Sequence, residues 1–172
     1  MKSIIALSLL LCFASAGNIL GSVEPNIVPS LRILNGQSAA ACQFPYQAGL
    51  WLYDGGPTRW WCGGSLISNE WILTAAHCMT DLLSVNVILG STTRSNTPVN
   101  FDVDKNNFII HAEFNDGTVY HDIALIIIPA VTYTNATQPV CLPTRASSYP
   151  TYEGETVVMA GWGRTVANAT TG

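Results

Sequence analysis

His77 and Asp122 are the residues of this 172-residue chain whose types and surroundings suit acid–base chemistry. His77 stands in Thr74-Ala75-Ala76-His77-Cys78, directly after the apolar run Trp71-Ile72-Leu73. A histidine at a strand end, behind two small alanines, can project into a cleft without crowding. Cys78 can tie that turn to Cys62, which lies in Cys62-Gly63-Gly64-Ser65-Leu66-Ile67. A general base has to be held rigidly, and a braced turn does this. Asp122 stands in His121-Asp122-Ile123-Ala124-Leu125, ahead of six apolar residues, so its carboxylate is expected to be poorly solvated. Such a carboxylate needs partners or its pKa rises, and an imidazole N–H is a suitable partner. Taken singly, each residue has a plainer reading: a surface or structural histidine, and a turn acid at the start of a strand.

Two further motifs are informative because of their place in the chain. Gly161-Trp162-Gly163 follows a β-like run, where glycines allow a bend or a close backbone approach. Arg32-Ile33-Leu34-Asn35-Gly36 sets a basic residue before an apolar one, at the join between a polar lead-in and the apolar body of the chain.

The elements that must position these residues read as strands. Gln47 to Tyr53 is followed by the turn cluster Asp54-Gly55-Gly56-Pro57. Trp71 to Leu73, Val85 to Leu89, Asn107 to Ile110, Ile123 to Ile128 and Thr156 to Ala160 are further short runs of β-type residues, and Gly90 to Pro98 is a polar loop. Ile123 to Ile128, stopped by Pro129, reads as a fully buried strand. Regular short strands separated by turns predict an all-β sandwich or barrel, and no amphipathic helix of useful length competes. Hydrophobic residues are 48% and charged residues 10%, which excludes a disordered, solvating chain. The net charge is −4 and there is no Lys/Arg run, so the electrostatic footprint of a nucleic-acid binder is missing.

The N-terminus carries an address. Lys2, the largely apolar stretch Ile4 to Phe13, and Ala14-Ser15-Ala16 make a secretory signal with cleavage expected after Ala16. The stretch is too short to span a bilayer, which takes about 20 residues. Secretion to the extracellular space is therefore expected. Residues 17–32, polar and containing Pro25 and Pro29, read as an extended lead-in. Of five cysteines, Cys12 leaves with the signal, so Cys42, Cys62, Cys78 and Cys141 meet an oxidising compartment, with three possible pairings. No CxxC pair supports a zinc site, and no metal or other cofactor is expected. Asn135 and Asn168 begin glycosylation sequons. Trp51, Trp60, Trp61 and Trp71 are expected as core and cleft walls in preference to a carbohydrate platform, and His111 as a surface residue.

Together and in order, the Arg32–Gly36, Cys62–Ile67, Thr74–Cys78, Asp122–Leu125 and Gly161–Gly163 motifs closely resemble those of the trypsin/chymotrypsin family of serine endopeptidases. The resemblance runs from Ile33 to the chain end. It implies a trypsin-like double β-barrel, with the first barrel present and the second truncated. By the same resemblance His77 is the general base and acid, and Asp122 fixes its tautomer and stabilises the imidazolium. Arg32–Ile33 becomes the zymogen bond, cut by a trypsin-like activating protease, and residues 17–32 become a propeptide. Sixteen residues are too few for a regulatory module, which favours a digestive or venom-type enzyme over a cascade protease. The implied partners are protein or peptide substrates, with no nucleic acid and no membrane.

One departure stands out. The family's Gly-Asp-Ser-Gly-Gly segment is absent, and none of Ser38, Ser65 and Ser91 sits in a Gly-x-Ser-x-Gly frame. Residues 33–172 are thus expected to be an incomplete peptidase domain, inactive as given, since such a fold usually takes roughly 200–250 residues. The alternative is a naturally truncated, non-catalytic homologue acting as a binding or decoy protein. Ser91 to Asn100 holds no acidic residue, so the calcium loop common in the family is not expected here.

Overall fold

The computed structural model describes residues 36–95 and 98–163. The signal at 1–16, the lead-in at 17–32 with Arg32–Ile33, and Asn168 lie outside the described residues. The described chain is all-β apart from two single 3-10 turns. Its strands are β1 (Gln47–Tyr53), β2 (Trp60–Ser68), β3 (Trp71–Thr74), β4 (Ser84–Leu89), β5 (Val99–Asp104), β6 (Phe108–Ile110) and β7 (Ala124–Ile127). They form one antiparallel sheet in the order β5-β4-β1-β2-β3-β7-β6.

Chain connectivity forces this sheet to curl. The two edge strands, β5 and β6, are joined by only the 3-10 turn Lys105–Asn107. Opposite edges of a seven-stranded sheet therefore meet at one end, and the twisted sheet rolls into the first barrel of the expected pair. Asp104 holds this corner, its carboxylate accepting the backbone N–H of Asn106 at 2.9 Å.

The barrel interior is filled by alternate residues, as the two-residue repeat of a strand demands. Leu50 and Leu52 of β1, Leu66 of β2, Ile72 of β3, Val85, Val87 and Leu89 of β4, Val103 of β5 and Ile126 of β7 are all buried together. Each fully buried Leu, Ile or Val contributes about 1.5–3 kcal/mol relative to exposure.

Three expectations need correcting. β7 is not buried on both faces: Ala124 and Ile126 point inward, Leu125 and Ile127 are partly exposed, and Ile123 is exposed. A barrel wall has one solvated side, so its strands alternate however apolar they are. Thr156 to Ala160 forms no strand, and Val157, Val158 and Met159 are about three-quarters exposed (76%, 74% and 75%). β-Propensity needs a neighbouring strand to hydrogen-bond with, and this segment has none among the described residues. β5 lies at Val99–Asp104, where no strand was expected, although Val99-Asn100-Phe101-Asp102-Val103-Asp104 alternates regularly. No helix of the described residues is long and apolar enough to cross a membrane.

Candidate active site

β3 ends at Thr74, whose buried hydroxyl donates to the Gly63 carbonyl at 2.9 Å and so ties the end of β3 to β2. After an extended Ala75 the chain makes the 3-10 turn Ala76–Cys78. Ala76 and Cys78 are buried, which leaves His77 between them facing out, with its side chain 49% exposed. The small alanines matter here, because a larger side chain at position 76 would meet the barrel core. Cys78 is bridged to Cys62 on β2, so of the possible pairings the one beside His77 is formed.

Asp122 arrives by register. β3 and β7 run antiparallel with Thr74 opposite Ala124. Continuing that register two residues further sets Asp122 across from Ala76. Its carboxylate grips the turn twice: Oδ1 accepts the His77 backbone N–H at 2.8 Å, and Oδ2 lies 2.8 Å from His77 Nδ1. The residue preceding the turn, Ala75, has no side chain that can cap it. Asp122 supplies the cap from 45 residues away, placing a negative charge where the turn's N–H groups are unpaired.

These contacts decide the carboxyl's acidity. Partial burial, with the Asp122 side chain 22% exposed, pushes its pKa up. The His77 backbone N–H, the His77 ring hydrogen bond and charge, and the Ala76 backbone N–H all act the other way. Together they win, and the carboxyl titrates below its ordinary value. A carboxylate opposite Nδ1 calls for a proton on Nδ1, leaving the lone pair on Nε2. Nε2 lies 3.4 Å from Cys78 Sγ. His77 also borders an open cleft of about 300 Å³ whose lining includes Trp60, Trp61, the Cys62–Cys78 bridge, Asp54 and Asp81. An oriented imidazole with a basic nitrogen beside a cleft can accept a proton from a hydroxyl and return it to a leaving group.

Gly161-Trp162-Gly163 is brought against the same sheet. Trp162 packs edge-on against Trp61 at 5.2 Å, and Trp61 against Trp51 at 4.8 Å. Arg94 lies over Trp61 at 4.6 Å and donates to the Trp162 carbonyl at 2.7 Å, while the Trp162 indole N–H donates to the Thr92 carbonyl at 3.1 Å. Gly49 is required beneath this stack: a Cβ there would come within 2.5 Å of the Trp61 ring. The tryptophans are thus walls and packing surfaces, with Trp60 the most open at 58% exposed. Cys42 and Cys141 are exposed and not joined to each other. Asn135 is exposed, while Thr137 of the same sequon is buried.

One grouping leaves no local mark in the sequence. His111, Glu113 and His121 come together in the turn between β6 and β7, with their metal-ligating atoms within 4.8 Å of one another. His111 and His121 are ten positions apart in sequence, and only the β6–β7 pairing reveals that they meet.

The geometry has counterparts among known proteins. A collagenase of Hypoderma lineatum is 44% identical over 133 residues, covering 77% of this chain and 50% of its own length. A chymotrypsin of Phaedon cochleariae is 35% identical over 144 residues, covering 83% and 52%. A solved structure of HL collagenase superposes with a TM-score of 0.62 at 47% identity, over 66% of this chain and 48% of that one. The chain spans about half the length of the curated relatives it matches. The trypsin family profile matches residues 33–171, and with that match over most of its length this chain belongs to the trypsin/chymotrypsin family of serine proteases.

Proposed function

We propose that this chain contributes the base-bearing half of a secreted serine endopeptidase, with His77 as general base and acid and Asp122 as the group that orients it. The observation that carries this reading is the double hold of Asp122 on His77, at 2.8 Å to the backbone N–H and 2.8 Å to Nδ1, which leaves Nε2 basic beside an open cleft. In the proposed cycle His77 Nε2 takes the proton of a serine hydroxyl as that oxygen attacks a peptide carbonyl. The protonated ring, stabilised by the Asp122 carboxylate, then gives the proton to the leaving amine. Water repeats the sequence to release the acyl group.

The serine is not assigned to any residue here, since no serine of the chain lies in a Gly-x-Ser-x-Gly frame. The 172 residues alone are accordingly proposed to be inactive, and the activity to belong to a protein carrying the serine. Residues 1–16 are proposed as the signal, 17–32 as the propeptide, and Arg32–Ile33 as the bond cut by an activating trypsin-like protease. Substrates are proteins or peptides.

The test is to sequence the transcript beyond Gly172 and to probe the native protein with a serine-reactive phosphonate. The proposal expects an in-frame segment bearing the serine and a labelled protein larger than 18.5 kDa. A stop directly after Gly172 in full-length transcripts, with no labelled form, would replace it with the non-catalytic binding or decoy homologue.

A further inference from the structure

The strand that delivers Asp122, β7, also pairs with β6 and there assembles a second group of side chains. Beyond Ile110 the chain leaves β6 at His111, turns through Glu113 and Phe114, and returns at His121 to start β7. The His111 backbone N–H donates to the Ile123 carbonyl at 3.1 Å, and the Phe114 N–H to the His111 carbonyl at 2.9 Å, so the backbone under the group is fixed at both ends. The two imidazole rings stack, with centroids 4.8 Å apart and planes inclined by 7°. Glu113 Oε2 lies 3.8 Å from His121 Nε2, and the Glu113 backbone N–H donates to His111 Nδ1 at 3.2 Å. All three side chains are exposed.

Each of these contacts is weak as it stands. An exposed histidine–carboxylate pair at 3.8 Å adds little. The Glu113 N–H takes up the single lone pair of His111 Nδ1, so an ion bound at that nitrogen takes the place of this hydrogen bond. The geometry points to a site for a divalent transition-metal ion, zinc above all: we propose that His111, Glu113 and His121 bind it through two imidazole nitrogens and one carboxylate oxygen.

The donor set supports this. Two histidines and a glutamate supply three of the four positions of a tetrahedral zinc ion and leave the fourth to water. Imidazole nitrogens favour zinc, copper or nickel over calcium or magnesium, which prefer all-oxygen shells. Ligands around one zinc ion lie about 3.3 Å apart. The His121–Glu113 pair at 3.8 Å needs to close only slightly, and the others, within 4.8 Å, somewhat more. Exposed side chains achieve this by rotation about their own bonds, with the β6–β7 backbone left in place. The only other such cluster among the described residues, Cys62, His77 and Cys78, cannot serve in the same way, because its two sulfurs are joined to each other.

The test does not depend on protease activity, so it stands or falls apart from the function proposed above. The full chain, checked for folding by circular dichroism, is titrated calorimetrically with zinc chloride in a non-chelating buffer. With only three histidines in the chain, their ring resonances are also followed by NMR. The expected result is one zinc per chain, with the His111 and His121 signals shifting and that of His77 staying in place. His111→Ala and Glu113→Gln should each weaken binding about 10-fold or more, a scale already reached by groups that only support metal ligands. His77→Ala should leave the affinity within twofold, and millimolar magnesium should not compete. No binding at millimolar zinc overturns the proposal. So does an affinity unchanged in both His111→Ala and Glu113→Gln, or one lost in His77→Ala.

Discussion

Two histidine–carboxylate pairs flank the entrance to β7, one peptide bond apart, and they are held differently. In the first, Asp122 meets His77 Nδ1 at 2.8 Å and also accepts the His77 backbone N–H, while a disulfide to β2 pins the next residue. In the second, Glu113 stands 3.8 Å from His121 Nε2, on exposed side chains with no bridge beside them. The residue types are nearly the same. The first pair is fixed by backbone hydrogen bonds and covalent bracing, as proton transfer at one defined atom requires. The second is loose, and a bound cation would be what draws it together.

The sharpest way to break the contrast is to remove the first carboxylate. In the serine-bearing protein proposed above, Asp122→Asn is expected to lower kcat about 10⁴-fold, the cost already known for the equivalent change in this protease family and carried over from it. Asp116→Asn, in the turn between β6 and β7 but outside both clusters, should leave kcat within twofold. Steady-state kinetics on a peptide ester reads both, and equal losses would end the distinction.

The covalent brace comes next. The Cys62–Cys78 bridge closes a loop of 16 residues, and replacing both cysteines by serine should cost about 3 kcal/mol in urea unfolding. A loss near zero would mean the sheet alone holds the turn.

Asp122→Ala in the 172-residue chain leaves the His77 backbone amide and ring Nδ1 without their acceptor and should cost about 1–3 kcal/mol near pH 7. This difference has a predicted pH dependence. The folded Asp122 carboxyl titrates below its ordinary value, so its contribution is fully present above the unfolded value of about 3.9. It is lost as the pH falls through the lower folded value. Unfolding of both proteins in chelator-treated buffer from pH 7 downward should show the gap narrowing only in acid. A gap that stays constant down to the lowest pH measured would refute the assignment.

The smallest effect belongs to the second pair. Glu113→Gln in the presence of a chelator should change stability by about 0.5 kcal/mol or less, since the contact is long and solvated. A loss as large as that of Asp122→Ala would erase the contrast between the pairs.

How far these features could be read ahead of the structure depended on whether their cause was local. β1 emerges at Gln47–Tyr53 as expected, because a run of β-type residues ends at an Asp-Gly-Gly-Pro turn. β3 and β4 match within a residue for the same reason. β5 was overlooked beside a polar loop, although Val99 to Asp104 alternates. Thr156 to Ala160 went wrong in the opposite direction, since its composition suits a strand but no neighbour pairs with it among the described residues. His77 and Asp122 were legible as motifs. That Asp122 caps the His77 turn was not, because the cap comes from 45 residues away through the β3–β7 register. The docking of Trp162 on Trp61 under Arg94, and the stacking of His111 on His121, were hidden for the same reason.

The sequence by itself determined the β character of the chain, the one-sided apolar patterning that fills a barrel, and the short motifs around His77 and Asp122. These depend on neighbouring residues and on periodicity, which a linear string records. Tertiary structure alone decided how Asp122 overcomes its own partial burial to stay acidic, and which two histidines share a turn. Those outcomes depend on strand register and on the corner that curls the sheet. Register is a property of pairs of distant segments, and it exists only once they have met.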